Sequence, residues 1–156
     1  MEKPVIKFAG IKDVTFGENV TVIEPVNLYE CYIGDNTFVG PFTEIQKGVV
    51  IGSHCKIHSH SFVCELVTIG DNCFIGHGVV FINDIMKSGK PAGGDKSLWK
   101  ETIVGNNVSI GSNTTILPVK ICDEVMIGAG AVVTKDIIEP GIYAGNPARK
   151  ISKQNI

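Results

Sequence analysis

Aliphatic residues recur at every sixth position along most of the chain. Between Ile33 and Phe81 nine consecutive positions at this spacing are apolar: Ile33, Val39, Ile45, Ile51, Ile57, Val63, Ile69, Ile75 and Phe81. This period fits neither an amphipathic helix nor a long alternating strand. Glycine commonly follows the aliphatic residue, as in Ile51-Gly52 and Ile69-Gly70. The pattern therefore predicts short strands that are separated by tight turns.

The same spacing continues on both sides of this central stretch. It recurs in three further sets, which are Val14, Val20 and Val26, then Val104, Ile110 and Ile116, and then Ile121, Ile127 and Val133. The first set is offset from the central one, and a five-residue step precedes the last. Three six-residue units make one triangular coil, and coils that pair as parallel strands stack about 4.8 Å apart. We therefore predict an all-β fold, a parallel β-helix with aliphatic residues inside, and small inward side chains at Cys55 and Cys73.

One long segment breaks the six-residue rhythm. Residues 84–102 carry no aliphatic repeat and contain Trp99, which is the chain's single tryptophan. Long excursions from a rigid scaffold are usually functional, and an aromatic ring is seldom left in water. We expect one domain over residues 1–156, with coils at about 10–83 and 103–138. The loop then covers 84–102, and a short irregular tail, punctuated by proline and glycine, covers 139–156.

Composition limits the possible functions. The 156 residues are 44% hydrophobic and carry a net charge of −2, so charge favours neither nucleic acid nor an anionic membrane as partner. The odd count of five cysteines does not predict a disulfide framework. No leader or membrane-spanning pattern is visible, so we expect a cytoplasmic location.

The histidine-rich stretch from His54 to His60 has ligand types that suit zinc. In a β-helix, however, Cys55 faces inward while His54 occupies a turn, so these ligands diverge. We therefore expect no metal. The alternatives for His58, His60 and His77 are a subunit interface, a substrate cleft or a catalytic base.

Two other clusters are candidate sites. Small residues at Ala129 and Ala131 leave a shallow groove with accessible amides, near the positive charges of Arg149 and Lys150. Glu65 and Asn83 are 18 residues apart, which places them on adjacent coils at the start of the loop. From the residues alone, ordinary coil turns and a solvated basic tail explain the first cluster better than a binding site does. For Glu65 and Asn83, turn chemistry and a binding site are equally good explanations.

The hexapeptide signature resembles that of the left-handed β-helix acyltransferases, and this resemblance implies the handedness. The stretch from Phe81 to Ile121, which begins "FINDIMKSGKPAGGDKSLWKETIVGNN", resembles nucleotide-linked amino-sugar N-acetyltransferases. It is most similar to the branch that acetylates the 3-amino group of dTDP-3-amino-3,6-dideoxyhexoses. In that branch an Asn-Asp pair opens the loop and an acidic residue one coil earlier faces the same pocket.

The resemblance implies the role of each candidate residue. Asn83, Asp84 and Glu65 match the catalytic and sugar-binding positions, and His60 and Trp99 join them as substrate-binding residues. The two carboxyl-terminal stretches resemble the family's coenzyme A-binding end. This likeness implies acetyl-CoA as cosubstrate, held by residues at six positions: Gly111, Ala129, Ala131, Pro147, Arg149 and Lys150. It also implies a homotrimer with active sites between subunits.

Three other functions remain open at this stage. One is an N-acetyltransferase that acts on a UDP-linked amino sugar. Another is a hexapeptide O-acetyltransferase that uses a histidine base. The third is a non-catalytic or metal-binding β-helix protein, which would not bind coenzyme A.

Overall fold

The computed structural model of the protein describes residues 3–7 and 9–151. Within these residues, short strands wind around a common axis and one 3-10 turn, Lys96–Leu98, interrupts them. The strands are, in chain order, β1 (Ile11–Lys12), β2 (Thr15–Phe16), β3 (Thr21–Val22), β4 (Asn27–Tyr29), β5 (Tyr32–Ile33), β6 (Phe38–Val39), β7 (Glu44–Ile45), β8 (Val50–Ile51), β9 (Lys56–Ile57), β10 (Phe62–Val63), β11 (Val67–Ile69), β12 (Phe74–Ile75), β13 (Val80–Phe81), β14 (Thr102–Val104), β15 (Ser109–Ile110), β16 (Thr115–Ile116), β17 (Lys120–Ile121), β18 (Val125–Ile127), β19 (Val132–Val133), β20 (Gly141–Ala144) and β21 (Arg149–Ile151).

Every third strand joins the same sheet, which gives the molecule three faces. Sheet A contains β1-β4-β7-β10-β13-β16-β19, sheet B contains β17-β14-β11-β8-β5-β2, and sheet C contains β21-β20-β18-β15-β12-β9-β6-β3. Neighbouring strands are parallel except for the β20–β21 pair. This is the predicted all-β solenoid, and its architecture is that of a left-handed parallel β-helix.

The core is a column of stacked aliphatic side chains. Residues such as Ile33, Ile51 and Ile69 have at most 1% of their surface exposed. The residue two positions earlier also points inward, and Cys55 and Cys73 occupy that position as predicted. Burying one such aliphatic side chain contributes about 1.5–3 kcal/mol relative to leaving it exposed. The repeat therefore stabilises the coil stack along its whole length.

The first coils have a different register from the one that the sequence predicted. The six-residue spacing predicts that Val14, Val20 and Val26 belong to the series of principal aliphatic positions. In the structure Phe16 pairs with Ile33, so that Phe16, Val22 and Leu28 continue the principal series. The three valines occupy the smaller inward position instead. Both positions accept valine, which is why spacing alone did not distinguish them.

The tail is more regular than the sequence indicated. Strand β20 adds to sheet C beside β18, and β21 turns back to pair with it in antiparallel fashion. Gly145 makes the reversal possible with a positive φ of 94°. The hairpin covers the last coil of sheet C, while residues 152–156 of the predicted tail lie outside the described residues.

The described residues contain neither a membrane-spanning helix nor a cluster of metal ligands. No helix there has the length and apolar character needed to cross a membrane. In the same ranges, 3–7 and 9–151, no group of three or more His, Cys, Asp or Glu side chains is arranged to hold a metal ion. All five cysteines lie within these ranges and are free thiols.

Candidate active site

Glu65 and Asn83 lie on adjacent coils at the corner that follows sheet A. Strands β10 and β13 precede them and pair in register, with Phe62 opposite Val80. The Asn83 side-chain Nδ2 donates to the Glu65 carbonyl oxygen at 3.2 Å. The 18-residue spacing in the sequence therefore corresponds to direct contact in the fold.

The carboxylate of Glu65 holds an ammonium group that the excursion loop, residues 84–102, brings to it. Lys96 Nζ donates to both carboxylate oxygens at 2.7 Å. The same Nζ lies 5.0 Å from the centre of the Trp99 ring, within cation–π range. Glu65 is mostly buried, with 19% of its side chain exposed, so this corner offers a cation site made of a carboxylate and an aromatic face.

Asp84 organises the base of the excursion loop. Its Oδ1 accepts the Met86 amide at 2.8 Å, and its Oδ2 accepts the Ala92 amide at 2.7 Å. The Lys100 amide donates to the Asn83 carbonyl at 2.9 Å and closes the loop. Both oxygens of Asp84 thus have backbone partners. Its observed contacts are with the loop, whereas the sequence-based hypothesis assigned the carboxylate to an amine substrate.

Several polar residues around Glu65 were missed by the sequence analysis. The Glu65 amide donates to Gln46 Oε1 at 3.3 Å, and Gln46 Nε2 donates to Glu44 Oε1 at 2.9 Å. Burial raises the pKa of the nearby Tyr29 hydroxyl, and the charges of Glu44 and Glu65 raise it further. These residues precede Glu65 by roughly one or two coils, so the spacing that revealed Asn83 also pointed to them.

Lys47 lies at the same corner as Glu65, one coil earlier. Its ammonium group pairs with the Glu30 carboxylate at 2.5 Å. The corner therefore alternates in charge from Glu30 through Lys47 to Glu65. Lys96 extends this alternation from the loop.

Three of the four histidines, His58, His60 and His77, lie at a different corner, where sheet C leads into sheet A, whereas His54 lies where sheet B leads into sheet C. His60 is exposed and stacks on Phe42 with ring centroids 4.9 Å apart. Strand β10 separates it from Glu65, so the structure does not bring His60 to the Glu65–Asn83 pair within one chain. This part of the predicted substrate set stays a prediction.

His58 and His77 form a second pair at this corner. Their ring centroids are 4.7 Å apart, and His77 Nδ1 lies 2.8 Å from Ser59 Oγ. The buried His58 Nε2 has no hydrogen-bond partner among the described residues. Burial, the neighbouring His77 and then Lys56 lower the pKa of His58, which favours its neutral form.

The predicted cofactor groove is at the same corner, further along the axis. A Cβ added to Gly111 would collide with the Ala129 backbone nitrogen, so glycine is needed for these coils to stack. Ala129 is exposed, and among the described residues none accepts a hydrogen bond from its amide. The prediction that Ala131 lines an exposed groove is wrong, because Ala131 is fully buried. Its side chain occupies the small inward position.

The tail hairpin lies beside this groove. Its reversal contains Pro147, and the Ala148 amide donates to the Val132 carbonyl at 2.8 Å. Lys150 pairs with Glu139 at 3.0 Å, so its charge is partly compensated. Arg149 donates to the Ala148 carbonyl at 2.9 Å and forms no ion pair within residues 3–7 and 9–151. Arg149 therefore offers the less compensated positive charge.

Family models match the coils on both sides of the excursion loop. Residues 30–65 match the bacterial transferase hexapeptide model of six repeats. Residues 66–82 and 101–135 match the hexapeptide repeat of succinyl-transferase. The chain belongs to the hexapeptide transferase family. The matched ranges of this hexapeptide transferase stop on either side of residues 83–100, so the loop is separate from the repeat that defines the family.

Curated relatives are similar to the transferase over most of its length. The bifunctional protein GlmU of Clostridium kluyveri is 35% identical over 154 residues, which is 93% of this chain. GlmU of Streptococcus uberis is 32% identical over 92% of the chain. The chain spans about a third of the length of these relatives.

Solved structures share the fold of the transferase. A point mutant of AntD, an N-acyltransferase from Bacillus cereus in complex with dTDP and coenzyme A, is 24% identical with a TM-score of 0.76. The match covers 88% of this chain and 82% of the AntD chain. PerB from Caulobacter crescentus, in complex with coenzyme A and GDP-perosamine, is 21% identical with a TM-score of 0.63. The match covers 85% of this chain and 54% of the PerB chain. At these identities the likeness supports the fold.

Proposed function

We propose that this hexapeptide transferase transfers an acetyl group from acetyl-CoA to the amino group of a nucleotide-linked sugar. A dTDP-3-amino-3,6-dideoxyhexose is the favoured acceptor, and the product would enter surface glycan assembly in the cytoplasm. One observation carries the proposal. The Glu65 carboxylate already holds an ammonium group, beside Asn83 and at the base of the excursion loop. The complexes of AntD and PerB with coenzyme A and nucleotide ligands support the same class of reaction.

The amine must attack the thioester in its neutral form. A sugar amine flanked by oxygens has a modest pKa, taken here as about 7.7–8.0 by comparison with an α-amino group. A useful neutral fraction is therefore present near pH 7. In this mechanism the substrate amine takes the place of Lys96 Nζ at the Glu65 carboxylate, where Asn83 also orients it. The amine nitrogen bonds to the acetyl carbon, and the carbon–sulfur bond breaks to release coenzyme A. The amine's proton passes to water or to the leaving thiolate.

Positioning supplies much of the rate in this scheme. Holding two reactants in a reactive geometry is worth up to about 7–11 kcal/mol. Asp84 acts in the proposal chiefly through the loop, since both of its oxygens accept backbone amides. Trp99 closes one side of the amine site next to Lys96.

We place acetyl-CoA along the corner that contains Gly111 and Ala129. The Ala129 amide, which has no acceptor among the described residues, is the donor for the pantetheine arm in this proposal. Arg149, with Lys150 and the Pro147 reversal, would meet the phosphates. Ala131 contributes only by keeping the coil narrow, because it is buried.

An activity panel tests the proposal. Purified protein is mixed with acetyl-CoA and with dTDP-, UDP- or GDP-linked amino sugars, and free thiol is followed. We expect turnover with a dTDP-linked 3-amino sugar. Thiol release with none of the amino sugars, or with only hydroxyl acceptors, would contradict the proposal.

Alanine variants test the positioning role of the pair. We expect Asn83→Ala and Glu65→Ala to lower kcat/KM for the sugar by about 2- to 150-fold and to leave the acetyl-CoA KM unchanged, because one hydrogen bond is worth about 0.5–3 kcal/mol. Asn83→Ala should be the more severe. Kinetics from pH 6 to 9 provide the control. A loss beyond about a thousandfold at Glu65, with the acid limb of the profile abolished, would make Glu65 a general base.

A histidine-based acyl transfer is the second candidate. It is favoured by the His77–Ser59 contact and by the neighbouring His58, whose lowered pKa keeps the imidazole neutral. His77→Asn separates the two mechanisms. If His77 is the general base, the variant should lose about 10²–10⁴-fold in kcat. The positioning mechanism predicts little change in kcat.

A further inference from the structure

The excursion loop is built around its own internal contacts. Besides the two amides that Asp84 accepts, Asp95 accepts the Ser97 amide at 3.0 Å and the Ser97 hydroxyl at 2.6 Å. The Lys96–Glu65 pair and the Lys100–Asn83 hydrogen bond attach the loop to the coils. The loop therefore presents a preformed surface.

This surface contains a depression of about 330 Å³ that no sequence motif predicted. The size is at the lower end of the range for small-molecule sites. Lys87, Lys90 and Lys100 line it, together with the hydroxyl-bearing Ser88 and Ser97. Lysine ammonium groups and serine hydroxyls are typical partners of phosphate oxygens.

The positive charge of the depression is not compensated locally. None of its three lysines forms an ion pair within the part of the chain that the structure describes. Asp84 is the acidic residue in its wall, and backbone amides occupy both of its oxygens. A dianionic group placed here would therefore meet several cations.

Part of the lining of the depression is apolar. Ile85 and Leu98 line it and remain 40% and 49% exposed. Such side chains favour a flat, weakly polar group as a neighbour. The depression thus combines the two surfaces that a nucleoside diphosphate needs, cations for the phosphates and an apolar face for the nucleoside.

The depression adjoins the proposed amine site through the 3-10 turn Lys96–Leu98. Lys96 contacts Glu65, while Ser97 and Leu98 line the depression. Asp84 lines it as well and directly follows Asn83 in the chain. A ligand with an amine at one end and a diphosphate at the other would contact both places.

We propose that this depression binds the nucleoside diphosphate portion of the acceptor. Lys87, Lys90 and Lys100 contact the phosphates, and Ile85 and Leu98 pack against the nucleoside. The inference rests on the proposed function, because it names where the nucleotide half of that acceptor binds. It assigns the loop a second task beside enclosing the amine.

Direct binding tests the proposal without turnover. The whole protein is titrated calorimetrically with dTDP, UDP and, as the nucleotide fragment of coenzyme A, adenosine 3′,5′-diphosphate. Lys90→Glu is compared with Lys12→Glu, which makes the same charge change on an exposed residue of β1. We expect Lys90→Glu to weaken dTDP and UDP binding at least about tenfold, since a lost charged hydrogen bond is worth about 1.5–3 kcal/mol. Lys12→Glu should stay within about twofold.

A reciprocal variant separates the two possible sources of phosphate. Arg149→Glu should weaken the adenosine 3′,5′-diphosphate interaction and leave dTDP binding unchanged. The proposal is overturned if Lys90→Glu binds dTDP and UDP like the wild type. It is also overturned if Lys90→Glu weakens only the adenosine 3′,5′-diphosphate interaction, because the depression would then serve coenzyme A.

The same variants distinguish this inference from the proposed function. If the wild type acetylates nucleotide-linked amino sugars and Lys90→Glu has an unchanged sugar KM, the depression is not the nucleotide site but the function stands. If no amino sugar is acetylated and Lys90→Glu still loses dTDP binding, the nucleotide site stands and the function fails. Circular dichroism of each variant verifies that the coils remain folded.

Discussion

Single residues in this protein are constrained mainly by the next coil. A Cβ added to Gly34 would lie 2.6 Å from the Gly52 carbonyl carbon, and backbone atoms there cannot move without breaking a ladder. The glycines that follow aliphatic positions therefore serve close stacking, while the positive φ angles of the turns fall on residues such as Asn36 and Asn72. At Gly34 the requirement is steric, because its φ is not in the positive region.

We expect Gly34→Ala to lower the free energy of unfolding by about 1–3 kcal/mol, the usual cost of overpacking. Gly10→Ala is the matched control, because an added Cβ there meets nothing within 4 Å. The control should be neutral or slightly stabilising, since alanine restricts the unfolded chain. Urea unfolding of both variants checks this, and equal midpoints would show that the coils tolerate a methyl group at the contact.

At the scale of elements, the excursion loop and the coils depend on different carboxylates. Asp84 binds two amides inside the loop, whereas Asp71 accepts the Ser53 amide between neighbouring coils at 2.7 Å. Both are side chain–backbone contacts of similar length. Removing Asp84 loses two contacts inside the loop, whereas removing Asp71 loses one contact between coils, so the two substitutions should affect different parts of the molecule.

We predict that Asp84→Ala loosens the loop without unfolding the coils. Trypsin should cleave after Lys87 several times faster than in the wild type, while the melting temperature changes little. Asp71→Ala should do the reverse, lowering the melting temperature and leaving loop cleavage unchanged. Limited proteolysis and thermal melts measure both quantities. A loop in Asp84→Ala that resists trypsin like the wild type would contradict the role given to Asp84.

At the scale of the whole molecule, the outer faces of the sheets are candidate surfaces for association between subunits. Exposed apolar side chains lie on the outer surfaces of the sheets, including Val50 and Ile103 on sheet B and Phe74 and Met126 on sheet C. In the homotrimer that the sequence resemblance implies, we expect the excursion loop to keep its contact with its own Glu65 and to extend over the cleft of the next subunit. Light scattering should then report about three times 16.7 kDa. A stable monomer with full activity would exclude sites between subunits.

Much of the coil stack was predictable because a solenoid converts sequence spacing into spatial contact. The period that aligned Ile33 with Ile51 also placed Glu65 against Asn83. Lys96 was not predictable as the partner of Glu65, since the loop has no period to fix its path. Ala131 was misassigned because a small residue suits both an inward position and an exposed groove. The spacing did contain the signal for its burial, because Ala131 lies two positions before Val133, as Cys55 does before Ile57.

Strands before the excursion loop pair directly with strands after it, so the loop does not interrupt the hydrogen-bonding pattern of the sheets. Val67 pairs with Thr102, and Val80 with Thr115, in the same parallel fashion as pairs elsewhere in the stack. The length and composition of the inserted segment can therefore drift over evolution without altering the scaffold. Exchange of this segment between homologues is then a route by which one solenoid acquires new acceptors, with each exchange leaving the repeats on both sides intact.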